Sequence, residues 1–305
     1  MRVGLTALAL ALAVCFAIPA WADSFSFSTG SPDGKLGALS RPAGSQGLET
    51  ETADDFVLTQ PTVISSATMH GLLIPAGTPV SSLTRVEVEI YHVFPLDSDT
   101  VRTPNVPTRT NSPSDVEIDT ATRDSSQSTL SFNATQISTF TVANTVINGI
   151  HNPGQSEGSA TGEEVGINIT FNPPIFLPAG HYFFRPEAEV SGGNFLFLSA
   201  PRPITSGTPF PAGTTDLQAW IRNANLAPDW LRIGADIIGG VTFNMTFSLT
   251  GNTILEAGTP GQANCHGKTV SAMAHGFGGI DASASTLGYS SVDALQGGIR
   301  VFCGQ

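Results

Sequence analysis

Short runs in which apolar and polar residues alternate constrain the fold of this 305-residue chain more than any other feature. In Val241 to Leu249 every second residue is apolar, and the residues between them are Thr, Asn or Ser. Leu83 to Phe94 repeats this period, and it places Arg85, Glu87 and Glu89 together on one face, which we predict to be solvated. A period of two indicates strands with one buried and one wet face, as in antiparallel sheets.

Several more runs of this kind lie between residues 53 and 251, and clusters of turn-forming residues separate them. The chain contains 32 Gly and 21 Pro, and only 12% of its residues are charged. No long helical pattern and no fixed-period repeat interrupts the series. The sequence therefore predicts an all-β fold, an antiparallel β-sandwich or jelly roll, over residues 53–251. Residues 23–52, rich in Ser, Gly and Pro, are predicted to be an irregular lead-in.

The character of the sequence changes after residue 251. Residues 252–261 are predicted to be a linker, and residues 262–305 a small helical C-terminal appendix. The apolar spacing from Val270 to Phe277 suits one short amphipathic helix, and Ser291 with Asp293 is a plausible start for a second. Gly297 and Gly298 weaken the second helix by roughly 1 kcal/mol each relative to Ala, so it needs tertiary support.

A disulfide between Cys265 and Cys303 would supply this support. It would close a loop of 303 − 265 = 38 positions, worth roughly 3–4 kcal/mol in the chain-entropy picture. The only other cysteine, Cys15, lies in the N-terminal apolar run. We therefore expect reduction to loosen the appendix and leave the β-fold intact.

The N-terminus has the pattern of a signal peptide. Arg2 precedes an uncharged apolar run from Val3 to Pro19, and Ala20-Trp21-Ala22 fits a cleavage site. Cleavage would leave residues 23–305 in an oxidising compartment, secreted or periplasmic, with no membrane anchor. An uncleaved anchor is the alternative, although the run is short for a membrane span.

Charge excludes some partners and suggests one ion. Without Arg2 the chain has 12 basic and 25 acidic side chains, a net charge of 12 − 25 = −13. Nucleic acids and anionic membranes need clustered Lys and Arg, so neither is expected as a partner. No cofactor is predicted apart from Ca²⁺, which Asp97 and Asp99 could bind in a loop, although no complete EF-hand pattern is present.

Catalytic motifs do not occur in a credible context. Gly154 to Gly158 matches G-x-S-x-G around Ser156, but Pro153 precedes it and no helix pattern follows. The histidines lack zinc spacing, and the Glu87/Glu89 and Glu187/Glu189 pairs each lie on one strand face rather than across a cleft. We predict that the protein is not an enzyme. A hydrolase or metal-dependent jelly-roll enzyme whose site is assembled from distant strands stays open as an alternative.

Aromatic residues suggest a binding site instead. Trp220 and Trp230 flank a loop that carries Asn223 and Asp229, so together they could stack against and hydrogen-bond a sugar. The alternative is that both indoles pack in the core. The first interpretation predicts an extracellular polysaccharide as partner.

Two segments resemble known proteins. Ala53-Asp54-Asp55-Phe56-Val57-Leu58 and residues 177–184 (LPAGHYFF) resemble secreted bacterial β-sandwich proteins with an "ADDF"-type extracellular segment. Residues 258–305 resemble a small Cys-bracketed tail found on diverse secreted bacterial proteins. The resemblance implies a β-sandwich with a C-terminal appendix, and it transfers no catalytic residue.

These observations favour a secreted, non-enzymatic binding or extracellular-matrix component, with carbohydrate as the leading ligand. A purely structural envelope protein is a further alternative. The sequence does not determine the oligomeric state.

Overall fold

A computed structural model describes residues 23–44, 47–94, 109–148, 150 and 157–305. Over this part of the chain the protein is mostly β-strand, arranged in two sheets, and three short helices follow at the C-terminus. The predicted signal peptide, the Asp97/Asp99 loop and Ser156 lie outside the described residues.

Nine described strands form the first sheet, called sheet A. The strands are β1 (Ser24–Ser28), β2 (Leu36–Leu39), β4 (Thr62–Ile74), β8 (Leu130–Val142), β9 (Asn144–Val146), β10 (Ala160–Leu177), β12 (Asn194–Ala200), β15 (Asn244–Met245) and β16 (Phe247–Thr253). The central path runs β1-β16-β4-β12-β2-β9, β10 pairs with β4 and β8, and β15 pairs with β12. All of these pairings are antiparallel except that of β2 with β9.

Seven described strands form sheet B. They are β3 (Thr50–Leu58), β5 (Leu83–Phe94), β6 (Ser112–Pro113), β7 (Arg123–Asp124), β11 (Gly180–Val190), β13 (Trp220–Asn223) and β14 (Leu231–Arg232). Their order is β14-β13-β3-β11-β5-β6, with β7 also paired to β5, and all of the pairings are antiparallel.

One large hydrophobic cluster includes side chains from both sheets. Sheet B contributes alternate residues, such as Val86, Val88 and Ile90 of β5, and sheet A contributes residues such as Ile167 and Phe197. The rings of Phe184 from sheet B and Phe247 from sheet A stack with centroids 4.8 Å apart. Period-two alternation therefore places one apolar face of each sheet in a shared core, as predicted for β5.

The Asn172-Pro173-Pro174 segment forms an irregularity inside β10, where Pro cannot donate to the ladder. The structure corrects two expectations. Residues 23–52 are not wholly irregular, because β1 pairs with β16 and β2 with β12. Val241 was expected to face inward but is 52% exposed, because the strand pairing begins only at Asn244.

The appendix contains three helices, α1 (Cys265–Phe277), α2 (Ile280–Thr286) and α3 (Val292–Cys303), of which α2 was not predicted. The Ser291 side chain accepts a hydrogen bond from the Ala294 amide, which confirms the predicted N-cap of α3. Cys265 and Cys303 form the predicted disulfide, with Cα atoms 5.7 Å apart. The helices share a second hydrophobic cluster with Val63 and Phe176 of sheet A.

Candidate functional site

The face of sheet B that points away from the shared core carries a buried network of charges. Arg185 lies at its centre and is 1% exposed. Its Nη2 atom is 2.9 Å from Glu51 Oε1 and 2.6 Å from Glu89 Oε2, and its Nη1 atom is 2.7 Å from Glu187 Oε2. The prediction that Glu89 lies on a solvated face is therefore wrong, because Glu89 is 7% exposed and the neighbouring Glu187 is 0% exposed.

Segments that follow β5 and β13 cover this face and explain the burial. Arg222 of β13 donates to Glu51 and to the hydroxyl of Tyr91, and it also donates to the backbone oxygens of Asp115 and Pro228. Alternation in β5 and β11 correctly predicts a polar face. It cannot reveal that loops distant in sequence close over that face.

Carboxylates outnumber guanidinium groups in the network, and burial is the main cause of the shifts in their pKa values. Burial raises the pKa of Glu187 well above its ordinary range, despite the attraction of Arg185. Burial likewise raises the pKa of Glu87 to about 7, against the opposing charges of Arg185 and Arg85. A buried ion network that loses one member leaves an uncompensated charge, so removing one member is expected to destabilise the fold.

Trp220 and Trp230 lie within this covered face, and they do not form an exposed sugar-binding platform. They are 2% and 0% exposed and pack with Tyr91 and Phe183. The Arg222 guanidinium lies over one face of the Trp230 indole, 4.4 Å from the ring centroid. The structure supports the core alternative, because neither ring can stack against a ligand from solvent.

The side chains of Asn223 and Asp229, the predicted polar partners of that platform, form contacts within the protein. The Asn223 Oδ1 atom accepts hydrogen bonds from the amides of Asn225 and Leu226, which makes an Asx turn. Asp229 Oδ1 is 3.1 Å from Nε of Arg109, and its side chain is 4% exposed.

An open pocket of about 410 Å³ lies where β3 ends and β11 begins. We call it the histidine pocket. Its walls combine apolar side chains with one imidazole, one amide and two hydroxyl groups. The lining residues are Val57, Leu58, Asn111, Gly180, His181, Gly213, Thr214, Thr215 and Leu217.

The two aspartates of the Ala53-Asp54-Asp55-Phe56 segment explain how the pocket is built. Because neighbouring residues of a strand point to opposite faces, Asp54 and Asp55 diverge. Asp54 accepts a hydrogen bond from the Met245 amide, which anchors β15. Asp55 accepts from the Leu217 amide at 3.2 Å, which anchors the loop that forms one wall of the histidine pocket.

Asp55 also orients the imidazole of His181. Its Oδ2 atom lies 2.5 Å from His181 Nε2, and its side chain is 1% exposed against 24% for His181. Burial raises the pKa of Asp55 to about 6, although the hydrogen bond from His181 acts in the opposite direction. With Nε2–H donated to Asp55, a neutral imidazole presents Nδ1 as a hydrogen-bond acceptor. That atom makes no hydrogen bond to any residue the structure describes.

Only partial signals for this pocket are present in the sequence. Asp55 lies in the Ala53–Leu58 segment and His181 in residues 177–184, the two segments singled out above, yet 126 positions separate them. Only the pairing of Val57 with His181 across β3 and β11 brings them together. Thr214 and Thr215 belong to a polar stretch that carries no motif.

Among the residues that the structure describes, no group of three or more His, Cys, Asp or Glu side chains is arranged to hold a metal ion. No helix in the described ranges is both long and apolar enough to cross a membrane. Asp97 and Asp99, the residues predicted to bind Ca²⁺, lie outside those ranges.

No protein-family model, no curated protein and no solved structure matches this chain.

Proposed function

We propose that this protein is a secreted, non-enzymatic binding component of a bacterial extracellular matrix, built as a jelly-roll β-sandwich, and that the histidine pocket binds carbohydrate. The observation that carries the proposal is the pocket lining. His181 Nδ1, the Asn111 amide and the Thr214 and Thr215 hydroxyls offer acceptors and donors beside apolar walls. A sugar ring has the complementary surface, with hydroxyls around its edge and apolar C–H faces.

The disulfide supports the proposed location. Cys265 and Cys303 are paired, and such bridges persist in oxidising compartments outside the cytosol. The buried Arg185 network supports a rigid scaffold, because its ion pairs join β5 to β3 and β11, the two strands that also carry pocket residues.

The test is binding of residues 23–305 to a glycan array, compared between two histidine variants. In His181→Gln the amide can still donate to Asp55, but the Nδ1 acceptor is lost. His275→Gln is the matched control, because His275 lies on the exposed surface of α1. We expect His181→Gln to weaken glycan binding about tenfold, which corresponds to the loss of one good hydrogen bond. Absence of binding to any glycan, or equal binding by both variants, would contradict the proposal.

One observation favours a hydrolase as the second candidate. An imidazole oriented by a buried carboxylate, with its other nitrogen open to a pocket, is the arrangement of a general base. This candidate predicts that the protein releases new reducing ends or acyl groups from the polymer it binds. The release would be lost in His181→Gln and kept in His275→Gln. Binding without any product supports the non-enzymatic proposal.

A further inference from the structure

A second cavity lies between the helical appendix and the sheets, separate from the histidine pocket. We call it the appendix cleft, and its volume is about 440 Å³. One wall is formed by β10 around its irregularity, and the other by α3 and the turn before it. Its lining includes Arg123, Pro173, Pro174, Tyr289, Gly297 and Gly298.

The lining of the cleft is mostly apolar. On the β10 side, the rings of Pro173, Pro174 and Phe176 line it. On the α3 side, Gly297 and Gly298 leave the helix without side chains at two successive positions. At Gly298 a Cβ would lie 2.6 Å from the Tyr289 hydroxyl, so the glycine allows that ring to lie against the helix.

Arg123 brings an uncompensated positive charge to the cleft. The residue is 7% exposed, and its guanidinium donates to four backbone carbonyls, those of Thr120, Thr122, Pro173 and Pro174. A guanidinium has five N–H donors, so one remains beyond these four bonds. Among the described residues no carboxylate forms an ion pair with Arg123, and Asp119, the acid on the cleft rim, is exposed.

Tyr289 adds an unsatisfied polar group. The residue is 5% exposed, and its hydroxyl makes no hydrogen bond to any described residue. Burial raises the pKa of this hydroxyl to about 12, so it stays protonated and can donate. A buried polar group without a partner costs about 1–3 kcal/mol, and a ligand atom that accepts its hydrogen bond would recover that cost.

We propose that the appendix cleft binds a small aromatic carboxylate, with the carboxylate at Arg123 and Tyr289 and the ring between the proline and glycine walls. The carboxylate neutralises the guanidinium charge and accepts the remaining donors. Proline rings on one wall and two side-chain-free helix positions on the other offer C–H surface against which an aromatic ring can pack. A volume of about 440 Å³ falls within the usual range for small-molecule sites.

The test uses 3-phenylpropanoate and its neutral analogue 3-phenylpropanamide, titrated into residues 23–305 by calorimetry or ligand-observed NMR. The two probes have the same size and ring, and they differ in charge. We expect the acid to bind at least tenfold more tightly than the amide. Absence of binding by the acid, or equal affinity for both probes, overturns the proposal.

A pair of glycine variants locates the site without removing Arg123, whose four carbonyl contacts hold local structure. Gly297→Leu places a side chain into the cleft from α3. Gly267→Leu is the matched control, because this α1 glycine also has open space around its Cβ position and lies outside the cleft. We expect Gly297→Leu to weaken binding of the acid at least tenfold and Gly267→Leu to leave it unchanged. Equal binding by the two variants overturns the assignment to this cleft.

Discussion

Removal of the Cys265–Cys303 bridge is expected to unfold the appendix and spare the sheets. The bridge joins the first residue of α1 to the last residue of α3, across a sequence separation of 38. Closing a loop of this length removes about 4 kcal/mol of chain entropy from the unfolded state in the usual model. A unit of this size rarely has more than about 3–5 kcal/mol of stability, so the loss is nearly the whole of it.

Of the strand residues that the structure describes, only Val63 and Phe176 belong to the buried hydrophobic cluster of the appendix. Phe302 of α3 stacks on Phe176 of β10, with ring centroids 3.9 Å apart. The core between the two sheets contains none of the appendix residues. Losing the appendix would therefore expose Phe176 and Val63 and leave the shared core in place.

The assay is hydrogen–deuterium exchange of the Cys265→Ala/Cys303→Ala double variant against the wild-type chain. Peptides covering α1 to α3 are expected to lose protection, while those covering β3, β10 and β11 keep it. Retained protection in the helices would show that the bridge contributes little. Loss of protection in β3 and β11 as well would show that the appendix and the sheets fold as one unit.

Three further predictions concern sheet B. Trp230→Ala should lower the free energy of unfolding by about 3–5 kcal/mol, because it empties a fully buried indole site; an unchanged urea midpoint would contradict that burial. Arg185→Met should cost about 3–5 kcal/mol by removing the ion-pair partner of the buried Glu187, and adding Glu187→Leu should recover part of the loss. A double variant less stable than the single one would refute the network account. Between pH 5 and 8 the free energy of unfolding should fall by on the order of 2 kcal/mol after allowing for solvent screening. The reason is that the folded-state pKa values of Glu87 (about 7) and Asp55 (about 6) exceed their ordinary values of 4.5 and 3.8, so the stabilisation is complete below the ordinary values and is lost as pH rises through the folded-state values. Glu87→Gln should flatten the profile near pH 7, and a wild-type free energy of unfolding that rises with pH would contradict the prediction.

Local physical signals predicted the larger elements of the fold. Alternation located β5 and its core face, because strand geometry imposes a period of two on any half-buried strand. The spacing of Val270 to Phe277 and the Ser291 cap located α1 and α3, because these depend on neighbours within one turn. The disulfide was predictable because two cysteines remained to pair.

The features of the fold and of the candidate site that the sequence did not predict depend on contacts between residues distant in sequence. Glu187 has the sequence surroundings of a solvated strand glutamate, and only the loops that cross sheet B bury it. The indoles of Trp220 and Trp230 are hidden for the same reason. The histidine pocket depends on the register between β3 and β11 and on the loop anchored at Asp55, none of which has a local sequence pattern.

The most direct test of the central claim is an NMR titration of ¹⁵N-labelled residues 23–305 with neutral cello-, chito- and malto-oligosaccharides. The proposed function predicts that one class shifts the amide signals of Asn111, His181, Thr214 and Thr215, and that His181→Gln weakens the response about tenfold. Shifts confined to other surfaces, or no shift with any oligosaccharide at millimolar concentration, would contradict the claim that the histidine pocket is a carbohydrate site.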